Sequence, residues 1–290
     1  PEPAAKNTAP AVACGLYYTD FRYRERRTML VLTSDHLITP LETFRQDAET
    51  AAAAAREGSL VVFGIPPRGP ETGYGYIEIE SAESRTAPLC PVASFREKPD
   101  KAAAQGFLDT GRFYWNSGMF AFSTHALKDA FRACAPDIAR LFETLAPPTF
   151  AEYREGTETA HPWPALREAY TRVTGISFDY AVAEKLAARG RGMVMARARF
   201  DWRDVGCWDE YAAVLGDAGS SAEVYESGSA SCFVDSPVPV ALCGVEDLIV
   251  AVSPGENGGA GAVLVAKKGE TQKVRDIVER IKLAGRTKLL

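Results

Sequence analysis

The chain has 290 residues, of which 46% are hydrophobic and 24% charged, and its formal net charge is -5. This composition excludes a disordered, collagen-like or coiled-coil protein and predicts one large or two ordinary globular domains. The net negative charge does not indicate a basic surface for nucleic acid, and no apolar run reaches the roughly 20 residues of a membrane span. With no signal-peptide pattern at the start, we expect a cytoplasmic protein whose partners include neither nucleic acid nor membrane.

The cysteines and histidines do not form a recognisable metal or disulfide pattern. Six cysteines and three histidines are scattered, and no pair of cysteines has C-x-x-C spacing. This pattern predicts reduced thiols in a cytosolic protein and argues against a zinc site. Any metal is therefore expected to have oxygen ligands, as Mg²⁺ does.

The first 216 residues alternate between strand and helix patterns. Thr39 and Glu42 have the spacing of a capping box before an alanine-rich helix that ends at Gly58, and Asp100 and Ser123 are candidate N-caps. The alternation predicts βαβ units and a mainly parallel sheet. The predicted strands in this part are 29–32, 60–63, 77–80, 89–96, 113–122 and 193–199.

The character of the sequence changes after Gly216. Small residues dominate 216–228, and short strand patterns follow near 231–235, 239–243, 247–252 and 262–266. The last helix pattern has apolar residues at positions i, i+3, i+4 and i+7, starting at Val274. We therefore predict an α/β domain over residues 1–216 and a small β-rich domain with a terminal helix over residues 217–290.

Two aspartates follow predicted strands. Asp35 lies in a Ser-Asp-His turn, and Asp204 lies in a Trp-Arg-Asp-Val-Gly segment. Ligands of α/β sheets bind at the carboxyl ends of strands, and two carboxylates meeting there suit Mg²⁺ when a phosphate supplies further oxygens. Each aspartate alone also fits the cap of a turn or helix, and the spacing does not show that the two converge.

Three further motifs contain residues able to bind a phosphorylated sugar. Lys98 is a compact cation suited to phosphate, and the adjacent Glu97 can accept hydrogen bonds from sugar hydroxyls. Gly75 lies in a glycine-rich turn that allows the backbone to approach a ligand closely, and Asn116 follows Trp115 as a candidate sugar contact. The alternatives are an exposed ion pair, a plain tight turn and a core tryptophan.

In series, these segments resemble the mannose-1-phosphate guanylyltransferases within the sugar-nucleotidyltransferase group. The resemblance covers nearly the whole chain and implies a doubly wound nucleotide-diphospho-sugar transferase sheet, followed by a small domain like the left-handed β-helix of that family. The implied reaction joins GTP and mannose 1-phosphate to give GDP-mannose and pyrophosphate. The matching segments are residues 2–10, 32–36, 72–77, 95–100, 114–120, 177–185, 202–208 and 240–252.

The resemblance also implies which residues perform the chemistry. Asp35 and Asp204 are expected to hold Mg²⁺ or Mn²⁺, and Lys98 is expected to contact the sugar phosphate; these three are the candidate catalytic residues. Because the nucleophile is already a phosphate oxygen, no general base is needed and no histidine is given a role. Catalysis is expected to rest on in-line positioning and charge neutralisation.

Binding of the two substrates is assigned by the same resemblance. Gly75, Glu97 and Asn116 are expected to hold the mannose hydroxyls. Asp179 also lies in a matching segment, either as a site residue or as a helix cap. Glu2 is suited to guanine, because a carboxylate can accept from both N1–H and the 2-amino group. The residues expected near the nucleotide are Glu2, Lys6, Asn7 and Ser34.

One departure from the family concerns the start of the sequence. The family opens with a strand and a glycine-rich G-x-G-x-R loop whose backbone N–H groups bind the triphosphate, and this segment does not occur in the printed sequence. We therefore expect a fragment whose transferase domain is incomplete at its N-terminal part and lacks a central strand. We predict that these 290 residues alone fold poorly and transfer nothing.

Three alternatives to this assignment stay open. The chain could be a nucleotidyltransferase for another base or sugar 1-phosphate, a catalytically silent regulatory homologue that binds a nucleotide sugar, or part of a protein fused to a phosphomannose isomerase. Retention of Asp35, Lys98, Asn116 and Asp204 favours an enzyme over a silent homologue. The expected partners are GTP and mannose 1-phosphate, with a homodimer as a further expectation.

Overall fold

The computed structural model of the protein divides into two compact units. One consists of Pro1–Ser34 and Ile38–Trp202, and the other of Asp35–Leu37 and Arg203–Leu290. Each unit is described by itself below. The residues whose structure is described are 2–81, 86–148, 163–190, 192–216, 223–255 and 260–286.

The division between the units falls earlier in the sequence than the predicted boundary at residue 216. Helix α8 (Trp208–Leu215) directly precedes that predicted boundary. Its Ala212 is buried in a small core with Phe233 and Ile249 of the second unit. The helix therefore packs with the residues that follow it, a tertiary preference that linker composition does not reveal.

The first unit contains most of the regular structure. Its strands are β1 Thr28–Val31, β3 Leu60–Ile65, β4 Tyr76–Ile79, β5 Leu89–Arg96, β6 Phe113–Ser123 and β7 Met193–Arg197. Two short strands, β2 His36–Thr39 and β8 Asp201–Asp204, each have residues in both units. Its helices are α1 Thr8–Tyr23, α2 Leu41–Arg56, α3 Lys101–Thr110, α4 Thr124–Cys134, α5 Pro136–Glu143, α6 Pro164–Arg172 and α7 Glu184–Ala187, with a π-helical turn at Asp179–Ala183.

The main sheet has the strand order β1-β6-β3-β7-β5-β4, and β6 also pairs with β4. The prediction of a mainly parallel sheet is wrong for the described residues, because only β3 and β7 pair in parallel and the other pairings are antiparallel. The predicted βαβ unit does form, since β1 and β3 are both antiparallel to β6 and so run in the same direction. Strand β6 lies between them, which local patterns cannot reveal.

The sheet has a hydrophobic core on each face. On β3, Leu60 and Val62 contribute to one core, while Val61 and Phe63 contribute to the other. This alternation follows from the two-residue period of a strand. Helices α1, α4 and α5 contribute to the first core and α2 and α3 to the second, as expected of a doubly wound α/β fold.

The predicted helix caps are confirmed at two of three positions. Asp100 accepts a hydrogen bond from the Ala103 N–H at 2.8 Å, and Ser123 accepts one from the Ala126 N–H at 3.2 Å. The predicted capping box at Thr39 is wrong. Thr39 ends strand β2, and α2 begins at Leu41 with no side-chain cap.

The second unit contains a short coil of parallel strands. Strand β9 pairs in parallel with β11, and β10 with β12, and each residue pairs with one that is 16 positions further on. Strands β12 and β13 are antiparallel. After α8, its elements are β9 Val224–Ser227, β10 Phe233–Asp235, β11 Val240–Cys243, β12 Leu248–Pro254, β13 Ala260–Lys267, a 3₁₀ turn Thr271–Lys273 and α9 Val274–Leu283, which confirms the predicted terminal helix.

Two further properties concern the whole described chain. None of the helices described here is both long and apolar enough to cross a membrane.

None of the six cysteines forms a disulfide, and burial raises the pKa of the Cys14 thiol to about 11. A thiol with so high a pKa stays protonated at neutral pH and is a weak nucleophile.

Candidate functional site

Four residues from separate segments of the first unit form a polar cluster, called here the Glu97 cluster: Gly75, Glu97, Asn116 and Asp179. Gly75 directly precedes β4, Glu97 directly follows β5, and Asn116 lies within β6. The Asn116 N–H donates to the Gly75 carbonyl at 2.8 Å, and Asn116 Nδ2 donates to Asp179 Oδ1 at 2.8 Å. Strand pairing and these hydrogen bonds therefore bring together residues that are far apart in the sequence.

Glu97 is a largely buried carboxylate in the cluster. Its side chain is only 10% exposed, and its Oε2 is buried without a hydrogen-bond partner among the described residues. A Cβ at Gly75 would lie 2.4 Å from this oxygen and 3.3 Å from Asn116 Cβ. A side chain at position 75 would therefore have to displace the Glu97 carboxylate. Among the described residues, Glu97 retains an unused acceptor of the kind that buried polar groups seldom leave unsatisfied.

Burial raises the pKa of both carboxyl groups in the cluster. For Glu97 the largest cause is burial, followed by the nearby charge of Asp179, with Lys98 acting in the opposite direction. For Asp179 the cause is again burial, opposed by the hydrogen bond from Asn116. The cluster therefore resists carrying two negative charges and favours hydrogen-bond donors as ligands.

Lys98 places a cation at the edge of the Glu97 cluster. Its Nζ lies 3.3 Å from Glu97 Oε1, and its side chain is 61% exposed. Its backbone has a φ of 45°, a left-handed conformation that is uncommon for a residue with a side chain. Lys98 therefore partly neutralises Glu97 while leaving its ammonium group accessible to an anion.

A second polar cluster, called here the Asp35 cluster, consists of Asp35, His36 and Asp204 in the second unit. One potential ligand atom from each residue lies within 4.8 Å of the other two. Strands β2 and β8 pair, and the Val205 N–H donates to the Asp35 carbonyl at 3.0 Å. The structure thus brings together the two aspartates that sequence spacing could not show to converge.

Electrostatics distinguish the members of the Asp35 cluster. Burial raises the pKa of Asp204, with His36 acting in the opposite direction and Asp35 in the same direction. Burial lowers the pKa of His36, against the effects of Asp204 and Asp35. A neutral imidazole beside two carboxylates is a set of donors able to hold a divalent cation.

Two of the residues predicted near the nucleotide, Glu2 and Asn7, make other contacts within the first unit. Glu2 Oε2 accepts a hydrogen bond from the buried Tyr170 hydroxyl at 2.7 Å. Asn7 caps α1, because its Oδ1 accepts from the Thr8 N–H. Lys6 is half-buried and Ser34 is exposed. The nucleotide roles of these residues stay predictions.

Sequence reasoning gave no role to His36 and left Asp179 undecided. The signal for His36 was its position directly after Asp35, but the three histidines are scattered in the sequence, which argued against a histidine ligand. The signal for Asp179 was its place in a matching segment, which does not distinguish a helix cap from a partner of Asn116. Only the tertiary contacts make that distinction.

Comparisons with known proteins agree with the predicted resemblance. The chain is 34% identical over 290 residues to the xanthan biosynthesis protein XanB of Xanthomonas campestris pv. campestris (strain B100), covering 99% of this chain and 57% of that protein. It is 34% identical over 294 residues to a mannose-1-phosphate guanylyltransferase of Escherichia coli, covering 99% of this chain and 58% of that protein. The chain thus spans somewhat more than half the length of these curated relatives.

A solved structure is also similar. It is described as a mannose-1-phosphate geranyltransferase from Thermus thermophilus, with a TM-score of 0.72 and 29% identity over 97% of this chain and 77% of that chain. The family model described as nucleotidyl transferase matches residues 1–220. The predicted resemblance is confirmed at this level, and the chain belongs to the nucleotidyl transferase family.

Proposed function

We propose that the protein transfers a guanylyl group from GTP to mannose 1-phosphate, giving GDP-mannose and pyrophosphate. The observation that carries the proposal is the Glu97 cluster, in which a buried acceptor oxygen lies beside an amide donor and an accessible ammonium group. A sugar phosphate offers hydroxyls to the first two groups and an anion to the third. The names of the relatives support mannose 1-phosphate as that substrate.

In the proposed reaction, an oxygen of the sugar phosphate attacks the α-phosphorus of GTP. The new bond joins that oxygen to the α-phosphorus, and the bond from the α-phosphorus to the bridging oxygen of the leaving group breaks. Pyrophosphate departs with the electron pair. Glu97 and Asn116 would hold the sugar in place, and Lys98 would orient its phosphate, so that positioning replaces general base catalysis.

The Asp35 cluster fits a divalent cation. Two carboxylates supply oxygen ligands of the kind that Mg²⁺ prefers, and the nitrogen of His36 is a ligand that Mn²⁺ accepts more readily. A bound cation would neutralise charge on the phosphates. Asp35 and Asp204 would hold it, and His36 is an additional donor that the sequence analysis did not include.

We extend the proposal to the nucleotide. Lys6 and Ser34 would contribute a cation and a hydroxyl for its polar groups, and Asn7 would contribute through the start of helix α1, which it caps. Glu2 would hold guanine through its second carboxylate oxygen, since Oε2 already accepts from Tyr170. This assignment is supported by the resemblance and by the chemistry of the side chains.

The parallel coil of the second unit supports a further part of the proposal. Its constant 16-residue offset has the regularity of a coiled parallel sheet, and we propose that it is the left-handed β-helix-like domain that the resemblance implies. We also keep the homodimer as a proposal. Sedimentation analysis tests it, and a monomer at micromolar concentration would contradict it.

Release of pyrophosphate tests the reaction, measured on the protein translated from its complete gene. We expect release that needs GTP, mannose 1-phosphate and Mg²⁺ or Mn²⁺ together. Competition among sugar 1-phosphates and nucleoside triphosphates in the same assay identifies the preferred pair. Preference for another sugar or base would replace the substrates named here, whereas tight binding of GDP-mannose with no turnover would favour the silent homologue.

A further inference from the structure

The amide of Asn116 is held by two groups that each permit only one orientation. Its Nδ2 donates to Asp179 Oδ1 at 2.8 Å, and its Oδ1 accepts from the Gly118 N–H at 3.0 Å. A backbone N–H can only donate, and a carboxylate oxygen without a proton can only accept. A flipped amide would therefore lose both bonds and place two oxygens against each other.

This arrangement leaves one hydrogen on Asn116 Nδ2 without a partner among the described residues. The position that a Cβ of Gly75 would occupy lies 3.4 Å from Nδ2 and 2.4 Å from Glu97 Oε2. One remaining donor and one unused acceptor thus border the same small space beside Gly75. A hydroxyl group can serve both, because it accepts and donates hydrogen bonds.

Asp179 is held in place by the hydrophobic core and by side-chain hydrogen bonds. The preceding Phe178 is 1% exposed and contacts the rings of Phe120, Phe122 and Phe131. Its N–H donates to Thr8 Oγ1 at 2.8 Å. Asp179 begins the π-helical turn, and such turns occur frequently at functional sites.

We propose that Asp179 is a positioning residue, whose carboxylate holds the Asn116 amide with its remaining N–H available to a sugar hydroxyl while Glu97 supplies the acceptor. This inference rests on the proposed function, because it takes mannose 1-phosphate as the ligand of the Glu97 cluster. Asp179 acts through Asn116 and does not itself contact the sugar. A role as a simple helix cap would leave sugar binding unchanged when Asp179 is replaced.

Two substitutions of Asp179 separate a need for its acceptor oxygen from a need for its charge. Asp179→Ala removes the acceptor, and we expect mannose 1-phosphate to bind about tenfold more weakly, the size typical of a lost hydrogen bond to a charged group. Asp179→Asn keeps an acceptor oxygen, and binding is expected to stay within about threefold of the natural protein. Calorimetric titration with mannose 1-phosphate measures both, and Glu184→Gln is the matched control on the next turn.

A double substitution tests the polarity of the amide. In Asn116→Asp combined with Asp179→Asn, position 179 donates and position 116 accepts, so the bond between them re-forms and the Gly118 bond is kept. We expect thermal stability near that of the natural protein but a loss of sugar binding of about tenfold or more, because the donor of Asn116 is gone. Asn116→Asp alone sets two carboxylates together and is expected to be less stable than the double variant.

Kinetics on the complete enzyme give an independent readout. We expect Asp179→Ala to raise KM for mannose 1-phosphate about tenfold with little change in kcat, as for lost ground-state binding. Binding by Asp179→Ala equal to that of the natural protein would overturn the proposal. So would binding by Asp179→Asn as weak as by Asp179→Ala, since the charge itself would then be required.

The outcome also separates this proposal from the proposed function. If the natural protein binds a different sugar phosphate, mannose 1-phosphate fails as the substrate, but the same variants titrated with that sugar phosphate still test positioning. If the natural protein binds mannose 1-phosphate and the double variant binds it equally well, the proposed function stands and the role of Asp179 is overturned.

Discussion

The two polar clusters differ in how firmly the fold holds them. In the Glu97 cluster, Asn116 is 9% exposed and its amide has two fixed partners. In the Asp35 cluster, Asp35 is exposed and Asp204 is half-buried. The first cluster is thus a buried, hydrogen-bonded arrangement, and the second is an open group of ligand atoms.

This difference matches the ligands proposed for the two clusters. Neutral hydroxyls are distinguished only by the direction of their hydrogen bonds, so the groups that bind them must be fixed in a dry environment. A divalent cation such as Mg²⁺ keeps several waters and is attracted by charge, so its protein ligands can remain partly exposed. The buried and rigid Glu97 cluster is therefore suited to neutral hydroxyls, and the exposed carboxylates of the Asp35 cluster are suited to a cation.

The largest effect is expected from Asp204→Asn in the Asp35 cluster. Losing a charged ligand of the cation is expected to slow pyrophosphate release about a hundredfold or more, since a metal ion supplies several kcal/mol of charge stabilisation. Initial rates at a series of Mn²⁺ concentrations measure it on the protein from the complete gene. The control is Asp201→Asn at the start of the same strand, whose side chain is 72% exposed; equal rates for both variants would remove Asp204 from the cation site.

Gly75→Ala tests the rigidity of the Glu97 cluster. The added Cβ would lie 2.4 Å from Glu97 Oε2, and overpacking of this kind costs about 1–3 kcal/mol of stability. We expect a lower melting temperature and about tenfold weaker binding of mannose 1-phosphate, which corresponds to about 1.4 kcal/mol. Gly73→Ala is the matched control, because its Cβ would meet no atom within 4 Å. Similar melting temperatures and similar binding for the two variants would show that the cluster rearranges to accommodate the added Cβ.

The pH dependence of stability tests the burial of Glu97. Burial first, and then the charge of Asp179, raise the pKa of Glu97, with Glu184 adding to the rise and Lys98 opposing it. A raised pKa in the folded state means that its contribution to stability is complete below the unfolded pKa and is lost as pH rises through the folded value.

Glu97→Gln stays neutral and removes this contribution. We therefore expect the variant to gain stability relative to the natural protein as pH rises from about 4 toward neutrality. Urea unfolding at several pH values measures the difference, with Glu80→Gln, an exposed carboxylate, as the control. If the stability of the natural protein and that of Glu97→Gln changed with pH in the same way, the assigned burial of Glu97 would be contradicted.

The smallest effect is expected from Gly206→Ala beside the Asp35 cluster. A Cβ there would lie 3.0 Å from Asp204 Oδ1, but a half-buried carboxylate can rotate away at a cost of about 0.5–1.5 kcal/mol. We expect Mn²⁺, followed by its paramagnetic resonance, to bind only about threefold more weakly. A loss as large as that of Asp204→Asn would show that this cluster is as rigid as the other.

Local patterns in the sequence predicted much of the secondary structure. Asp100 and Ser123 are helix caps as expected, because capping depends on residues that are close together in the chain. The Thr39 capping box failed because Thr39 lies in a strand that pairs with the distant β8. The mainly parallel sheet failed for a related reason, since β6 lies between β1 and β3.

By itself, the sequence determined the family and the chemical character of the candidate residues, because residue types and their order are kept in the segments that match. Tertiary structure decided which of these residues meet. Strand pairing placed Gly75 against Asn116, packing of Phe178 carried Asp179 to the same amide, and His36 joined the two aspartates. Contacts between distant residues depend on the direction and order of strands, and no local pattern encodes these.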